Sequence, residues 1–368
     1  MKNRIISMII SLILLTGLFA VSAPAETDRI SVVTTIFPIY DWVREIVGED
    51  DSVEITMLLN SGVDLHSFQP TAADIMKVAT CDVFIYVGGE SDEWVEDALK
   101  EAVNPDMKVI SLVECMGDDI KMEEIVEGME HEHDHDHDEE EHENEEDHEH
   151  EEEEHEHEEE EHEHEEEEHE REEEEHEHEG EEHEHEHEEE ADEHVWLSLR
   201  NAGKLTAAIA AALGETVPEA AATYTANCEA YAAKLDALDQ AYAEAVRDAA
   251  TDTVLFGDRF PFRYLTDDYG LAYYAAFSGC SAESEASFET IVFLAGKVDE
   301  LGLSSVLTIE GDNHRIAETI IANTQAKDAA VRMMDSMQAT TAEDVANGVT
   351  YLGVMEQNLE ALRLALTK

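Results

Sequence analysis

Ser31-Val32-Val33-Thr34-Thr35-Ile36, followed by a helical stretch from Tyr40 to Val47 and then Val53 to Leu59, sets the fold. Two short apolar, β-branched runs on either side of one amphipathic turn-rich segment read as strand, helix, strand. Runs of this kind without polar alternation belong to strands buried on both faces, as in a parallel sheet. The pattern continues outward. Pro70-Thr71 opens a helix, with Asp74 three residues after Thr71 as in a capping box. Asp82 to Val87 is a third strand, Asp92 to Val103 a helix, and Met107 to Val113 a fourth strand. Alternation throughout implies a parallel sheet wrapped by helices.

The alternation returns after an interruption. Asn201 to Leu213 is helical, and a long helix is expected over Pro218 to Ala249, with Tyr231, Leu235, Leu238 and Tyr242 on one apolar stripe. Strands then fall at Thr253 to Gly257, Leu271 to Phe277, Ser305 to Ile309 and Ala329 to Met334. Helices are expected at Phe288 to Leu301, Arg315 to Ala326 and Ala342 to Leu366. The expected fold is therefore α/β. Two lobes, each with a mainly parallel sheet flanked by helices, are joined by a long bridging helix, and a cleft lies at their junction. The expected divisions are an export signal at 1–25, an N-terminal lobe at 26–217, the bridging helix at 218–249 and a C-terminal lobe at 250–368.

The interruption is a low-complexity tract over residues 130–190, built of His-Glu and His-Asp alternation and glutamate runs. It holds 17 of the 20 histidines, and residues 130–193 hold 43 of the 92 acidic side chains against one basic residue, Arg171. Such a segment cannot bury a core and repels itself, so disorder is expected. The formal net charge of -71 repels phosphates and excludes nucleic acid as a partner. It favours cations. A plain acidic linker would need only glutamate. The repeated histidines, among them His131, His133, His135, His137, His183, His185 and His187, point to weak auxiliary metal binding.

At the N-terminus, Lys2 and Arg4 precede an apolar run to Val21, and Ala23-Pro24-Ala25 offers a small-x-small cleavage site. The expectation is a cleaved export signal without a lipid-bearing cysteine, placing the protein in the periplasm or cell envelope; an uncleaved anchor is the alternative. The four cysteines, Cys81, Cys115, Cys228 and Cys280, match no zinc-finger spacing and are expected to be buried or free thiols. Cys280 lies in a glycine-containing loop, and nothing in its spacing pairs it with a ligand motif.

Outside the tract only three histidines remain. His66 lies in Gly62-Val63-Asp64-Leu65-His66, on the loop leaving the second strand, and His194 in Asp192-Glu193-His194, just after the tract. In open α/β sheets, ligands gather beyond the carboxyl ends of the strands. Asp258, Glu310 and Asp335 each follow a strand of the second lobe and offer carboxylates at corresponding positions. Two imidazoles with one or two carboxylates suit a divalent transition metal, without separating zinc from manganese.

The segments Val32 to Ile46, Gly62 to Ile75 and Asp192 to Ala202 resemble the zinc and manganese ABC-transporter substrate-binding family, and the His-rich loop resembles that of its zinc-uptake members. The resemblance implies His66 and His194 as first-lobe ligands and Asp335 as a second-lobe ligand. It implies two lobes joined by a rigid helix, and a non-enzymatic, monomeric binding protein that delivers Zn2+ to a membrane permease with a separate ATPase. Mn2+ is the alternative cargo; an extracellular zinc buffer or adhesin, and a metal-dependent hydrolase with Glu310 as base, are the other readings. The family's remaining second-lobe ligand, a histidine or glutamate, falls at Arg259 when Phe262 and Tyr264 are aligned. Arginine is always protonated and cannot ligate. Asp258, one residue earlier, is the expected replacement, with Glu310 or water as substitutes.

Overall fold

The computed structural model describes residues 29–129, 190–281, 285–311 and 313–367. The expected export signal at 1–25 and nearly all of the His/Glu-rich tract lie outside the described residues.

Each lobe is built on a four-stranded, wholly parallel sheet. In the first, β1 (Ile30–Thr34), β2 (Val53–Met57), β3 (Val83–Tyr86) and β4 (Lys108–Ser111) stand in the order β2-β1-β3-β4. In the second, β5 (Thr253–Phe260), β6 (Ala272–Ser278), β7 (Ser305–Thr308) and β8 (Ala330–Met333) repeat that order as β6-β5-β7-β8. The central strands carry apolar residues on both faces: Val32, Val83, Phe84, Ile85, Val306 and Leu307 are all fully buried. The sheets are covered by helices α1 (Phe37–Val47), α2 (Ala72–Thr80), α3 (Trp94–Lys100), α4 (Leu112–Met116), α5 (Leu199–Thr216), α6 (Ala221–Arg247), α7 (Arg263–Tyr269), α8 (Phe288–Leu301), α9 (Arg315–Asn323), α10 (Ala342–Ala346) and α11 (Tyr351–Ala365). Helix α2 starts in the expected capping box, Thr71 with Asp74. None of the described helices is long and apolar enough to cross a membrane.

Helix α6 bridges the halves. Its 27 residues extend about 40 Å at the usual rise. It packs on α1 and α5 at one end of the sequence and on α7 and α11 at the other. The expected stripe is buried and longer than the four residues read from the sequence, since Tyr224 and Cys228 extend it. One apolar core consequently runs from Val32 in β1 through Leu235 to Leu366, with a second, smaller cluster between β6, α8 and α9.

Of the boundaries that differ from expectation, three have a clear local cause. Helix α6 begins at Ala221, not Pro218, because residues 217–220 form a turn in which the Ala220 N–H donates to the Val217 carbonyl. The last helix is two helices: Gly348 takes a φ of 92°, which favours glycine, and Thr350 caps a new start by accepting from the Gly353 N–H. Strand β5 does not end at Gly257. It bulges between Phe256 and Arg259 and continues to Phe260, so Asp258 sits in a bulge and not in a loop.

The chain leaving toward the tract and the chain returning from it meet. Met122 and Ala191 form an antiparallel bridge, with the Glu123 N–H on the Glu190 carbonyl and the Asp192 N–H on the Lys121 carbonyl.

Candidate metal centre

His66 sits on a 3-10 turn, Leu65–Ser67, in the loop after β2. Asp64 caps that turn, its Oδ1 accepting from the His66 N–H at 3.0 Å. His194 follows the antiparallel bridge and enters the 3-10 turn Val195–Leu197. Asp192 holds both its N–H and its Nδ1 at 2.9 Å. The two rings converge as expected: their Nε2 atoms are 3.2 Å apart and their centroids 5.2 Å.

Hydrogen bonds orient both rings. Asp192 is acceptor only, so a neutral His194 carries its hydrogen on Nδ1 and presents a bare Nε2. His66 Nδ1 meets Ser91 Oγ at 2.7 Å, leaving its Nε2 turned to the same point. The β3–α3 loop that supplies Ser91 is fixed in turn, because the Ser91 N–H donates to Glu193 Oε1 at 2.9 Å. Gly89 lets Glu193 approach; at φ 82° it has no side chain to strike the carboxylate. Burial and the facing His194 push His66 down to about 3, so its imidazole is neutral at ordinary pH. In His194, burial is outweighed by the Asp192 charge, which raises its affinity for a proton. The pair thus takes up at most one extra proton, on His194 Nε2, and once that proton leaves both Nε2 lone pairs face the same point.

The second-lobe carboxylates are arranged differently. Among the described residues, the His, Cys, Asp and Glu donors that gather within 4.8 Å of one another are those of His66, His194 and Cys280. Asp335, Asp258 and Glu310 do not join them. Asp258, expected as the replacement ligand, spends Oδ1 on the Arg259 N–H and Oδ2 on the Ile309 N–H, which pins the bulge. Glu310, the substitute, accepts from the Ser336 N–H, the Ser336 hydroxyl and the Gln338 N–H. Asp335 Oδ1 accepts from the Met337 N–H, and burial with Glu310 nearby pushes its carboxyl up to about 7. The Asp335 loop is tied to the His194 segment, since Trp196 Nε1 donates to the Ser336 carbonyl at 2.8 Å. Arg259 turns into the cleft and binds Asp64 across the lobes at 2.6 Å.

Cys280, for which the sequence offers no ligand motif, lies beside the two imidazoles. It follows β6, at the carboxyl end of a second-lobe strand, and the topological rule applied to the three carboxylates pointed to it equally. Its N–H donates to Glu123 Oε1 at 2.9 Å. With His66, Glu90, Ser91, Glu93 and Glu193 it lines a cavity of about 300 Å3. The four cysteines form no disulfide.

The family described as "ZnuA: Zinc-uptake complex component A periplasmic" matches residues 32–365. The zinc-binding lipoprotein AdcA of Streptococcus pneumoniae is 28% identical over 361 residues, covering 97% of this chain and 60% of that protein. The chain therefore spans about three-fifths of the length of the streptococcal relatives it matches. The high-affinity zinc uptake system protein ZnuA of Bacillus subtilis is 26% identical, covering 94% of this chain and 90% of that protein. Among solved structures, the Zn(II)-bound ZnuA-like domain of Streptococcus pneumoniae AdcA has a TM-score of 0.62 at 24% identity, over 92% of this chain and 99% of that one. The periplasmic zinc binding protein TroA from Treponema pallidum has a TM-score of 0.63 at 19% identity, over 92% and 100%. These structures share the fold of two parallel-sheet lobes. With the family profile spanning both lobes and the site between them, the chain belongs to the ZnuA family of zinc-uptake complex components.

Proposed function

We propose that this chain captures a Zn2+ ion between its two lobes outside the cytoplasm and delivers it to an ABC importer, whose permease and ATPase are separate chains. It acts as a monomeric solute-binding protein and not as an enzyme. His66 and His194 are the first-lobe ligands, and Asp335 is the second-lobe ligand carried by family resemblance. The observation that carries the reading is the 3.2 Å approach of two Nε2 atoms, each on a ring whose Nδ1 is engaged elsewhere. Two nitrogens of a tetrahedral zinc, each about 2.0–2.1 Å from the ion, lie about 3.3 Å apart. The site is thus spaced for an ion before one arrives.

The relatives' names support zinc as the cargo: zinc-binding lipoprotein AdcA and high-affinity zinc uptake system protein ZnuA. Export through the signal at 1–25 accords with the word periplasmic in the family description. The tract over 130–190 serves as a low-affinity collector, its imidazoles free near neutral pH and its carboxylates raising the local cation concentration.

Calorimetry with chelator competition tests the reading. One tight zinc site is expected, lost in both His66→Ala and His194→Ala while the weak tract sites persist. A tight site surviving both substitutions would assign the protein to metal buffering instead. Manganese displacing zinc at equal concentration would make Mn2+ the cargo.

A further inference from the structure

We propose that the Cys280 thiolate is a further second-lobe ligand to the captured ion, standing in for the residue that family resemblance places at position 259. The proposal rests on the reading of His66 and His194 as ligands, and it adds a donor that the family pattern does not contain.

Three features of the structure converge on it. The first is proximity: Cys280 Sγ and the two imidazole nitrogens lie within 4.8 Å of one another, and no other described His, Cys, Asp or Glu joins that group. A zinc ion with a sulfur at about 2.3 Å and nitrogens at about 2.0–2.1 Å needs donors about 3.3–3.6 Å apart, a short contraction from this arrangement. The second is that the alternative position is closed. Arg259 is engaged with Asp64 at 2.6 Å, and both carboxylate oxygens of the neighbouring Asp258 accept backbone N–H groups, from Arg259 and from Ile309. The third is that the Cys280 loop is shaped around the imidazole. A Cβ on Gly279 would stand 2.9 Å from His194 Cε1 and 3.0 Å from the Phe260 carbonyl oxygen. Only glycine lets the backbone before Cys280 come this close to the His194 ring.

The step is an exchange without redox change. The S–Zn bond forms as the S–H bond breaks, the sulfur keeps the electron pair, and the proton passes to water. A thiolate also supplies the discrimination that two imidazoles and a carboxylate lack. Soft sulfur favours zinc, whereas manganese prefers oxygen donors. The second lobe then contributes selectivity as well as closure.

Cobalt reports sulfur ligation directly, through thiolate-to-metal charge-transfer absorption in the near ultraviolet. The full-length reduced protein is titrated with Co2+ to one equivalent. The His-rich tract contains no cysteine, so it cannot produce the band. The expected result is a charge-transfer band in wild type that is lost in Cys280→Ser, with zinc affinity by chelator competition falling at least tenfold and the preference for zinc over manganese shrinking. A second variant, Cys280→His, should restore affinity without the band. Zinc-edge X-ray absorption on wild type with one equivalent of Zn2+ needs no substitution and should show one sulfur at about 2.3 Å. A nitrogen- and oxygen-only shell, or unchanged zinc affinity in Cys280→Ser, overturns the thiolate while leaving the histidine pair standing, provided His66→Ala abolishes the tight site. A tight site indifferent to His66→Ala overturns both.

Discussion

Arg259 Nη2 lies 2.6 Å from Asp64 Oδ2, joining strand β5 of the second lobe to the turn that carries His66. The same Asp64 holds the His66 N–H with its other oxygen, so one carboxylate links strand β5 to the backbone of the ring-bearing turn. Both side chains are mostly shielded, at 17% and 23% exposure.

Replacing Arg259 with Gln should destabilise the protein by about 1–3 kcal/mol, less than the 3–5 kcal/mol for a fully buried pair because solvent reaches part of this one. For Asp64, burial is outweighed by the Arg259 hydrogen bond and charge, which hold its carboxyl below the usual range. The folded group's proton affinity is depressed, so its stabilisation is present above about pH 3.9 and fades as pH falls through the lower folded value. Thermal melts from pH 3 to 7 should show wild type and Arg259→Gln converging in acid. A constant gap would mean that lost packing, not the ion pair, sets the difference.

Gly279→Ala should weaken zinc binding about tenfold or more and lower the melting temperature by several degrees. The new methyl meets a backbone oxygen at 3.0 Å as well as the His194 ring, and the carbonyl cannot swing aside as a flexible side chain does. Chelator competition and a melt on the same preparation check both effects, and unchanged affinity would show that the loop shifts without moving the ligands.

Asp92 is buried, with Oδ2 held by the Val87 and Gly88 N–H groups, while burial and nearby Glu193 push its carboxyl up to about 7. Here the folded value exceeds the unfolded one, so folding takes up a proton and stability is lost as pH rises from about 4 to 7. Asp92→Asn keeps an acceptor for the two N–H groups and removes the titration. The variant should therefore gain on wild type as pH rises across that window, by at most about 4 kcal/mol. Denaturant melts at pH 4, 5.5 and 7 measure this; a pH-independent difference would contradict the assignment.

Removing residues 130–189 should leave the fold and one tight zinc site intact while abolishing several weak ones. The bridge between Met122 and Ala191 ties the two flanking segments together outside the deleted residues. Calorimetry of the shortened chain checks it, and loss of the tight site would show that the tract supplies a ligand.

The fold was legible because its strands are buried on both faces. Runs such as Val32-Val33 and Val306-Leu307 admit no polar alternation, and the capping box at Thr71 and Asp74 marks a helix start by chemistry alone. The histidine pair was legible because removing the tract leaves so few histidines. The second-lobe donors were not, and the reason is local. A bulge in β5 moves Asp258 off the expected loop and turns Arg259 into the cleft, and register irregularities of this kind leave no mark in composition or periodicity. Cys280 was passed over because it matches no cysteine spacing. Its place beside the imidazoles goes with Gly279 fitting against a ring 85 residues earlier in the chain, a contact that only the folded molecule reveals.

The apolar core is continuous from β1 to the last helix, and the bridging helix lies within it instead of hanging between two independent cores. The two halves should therefore melt together, with calorimetric and van't Hoff enthalpies in agreement for the metal-free protein. Cooperativity of that kind limits how the molecule can signal occupancy. An importer of the kind proposed would then have to read small displacements at the rim of one cooperative body, not a loosely hinged open form against a clamped one.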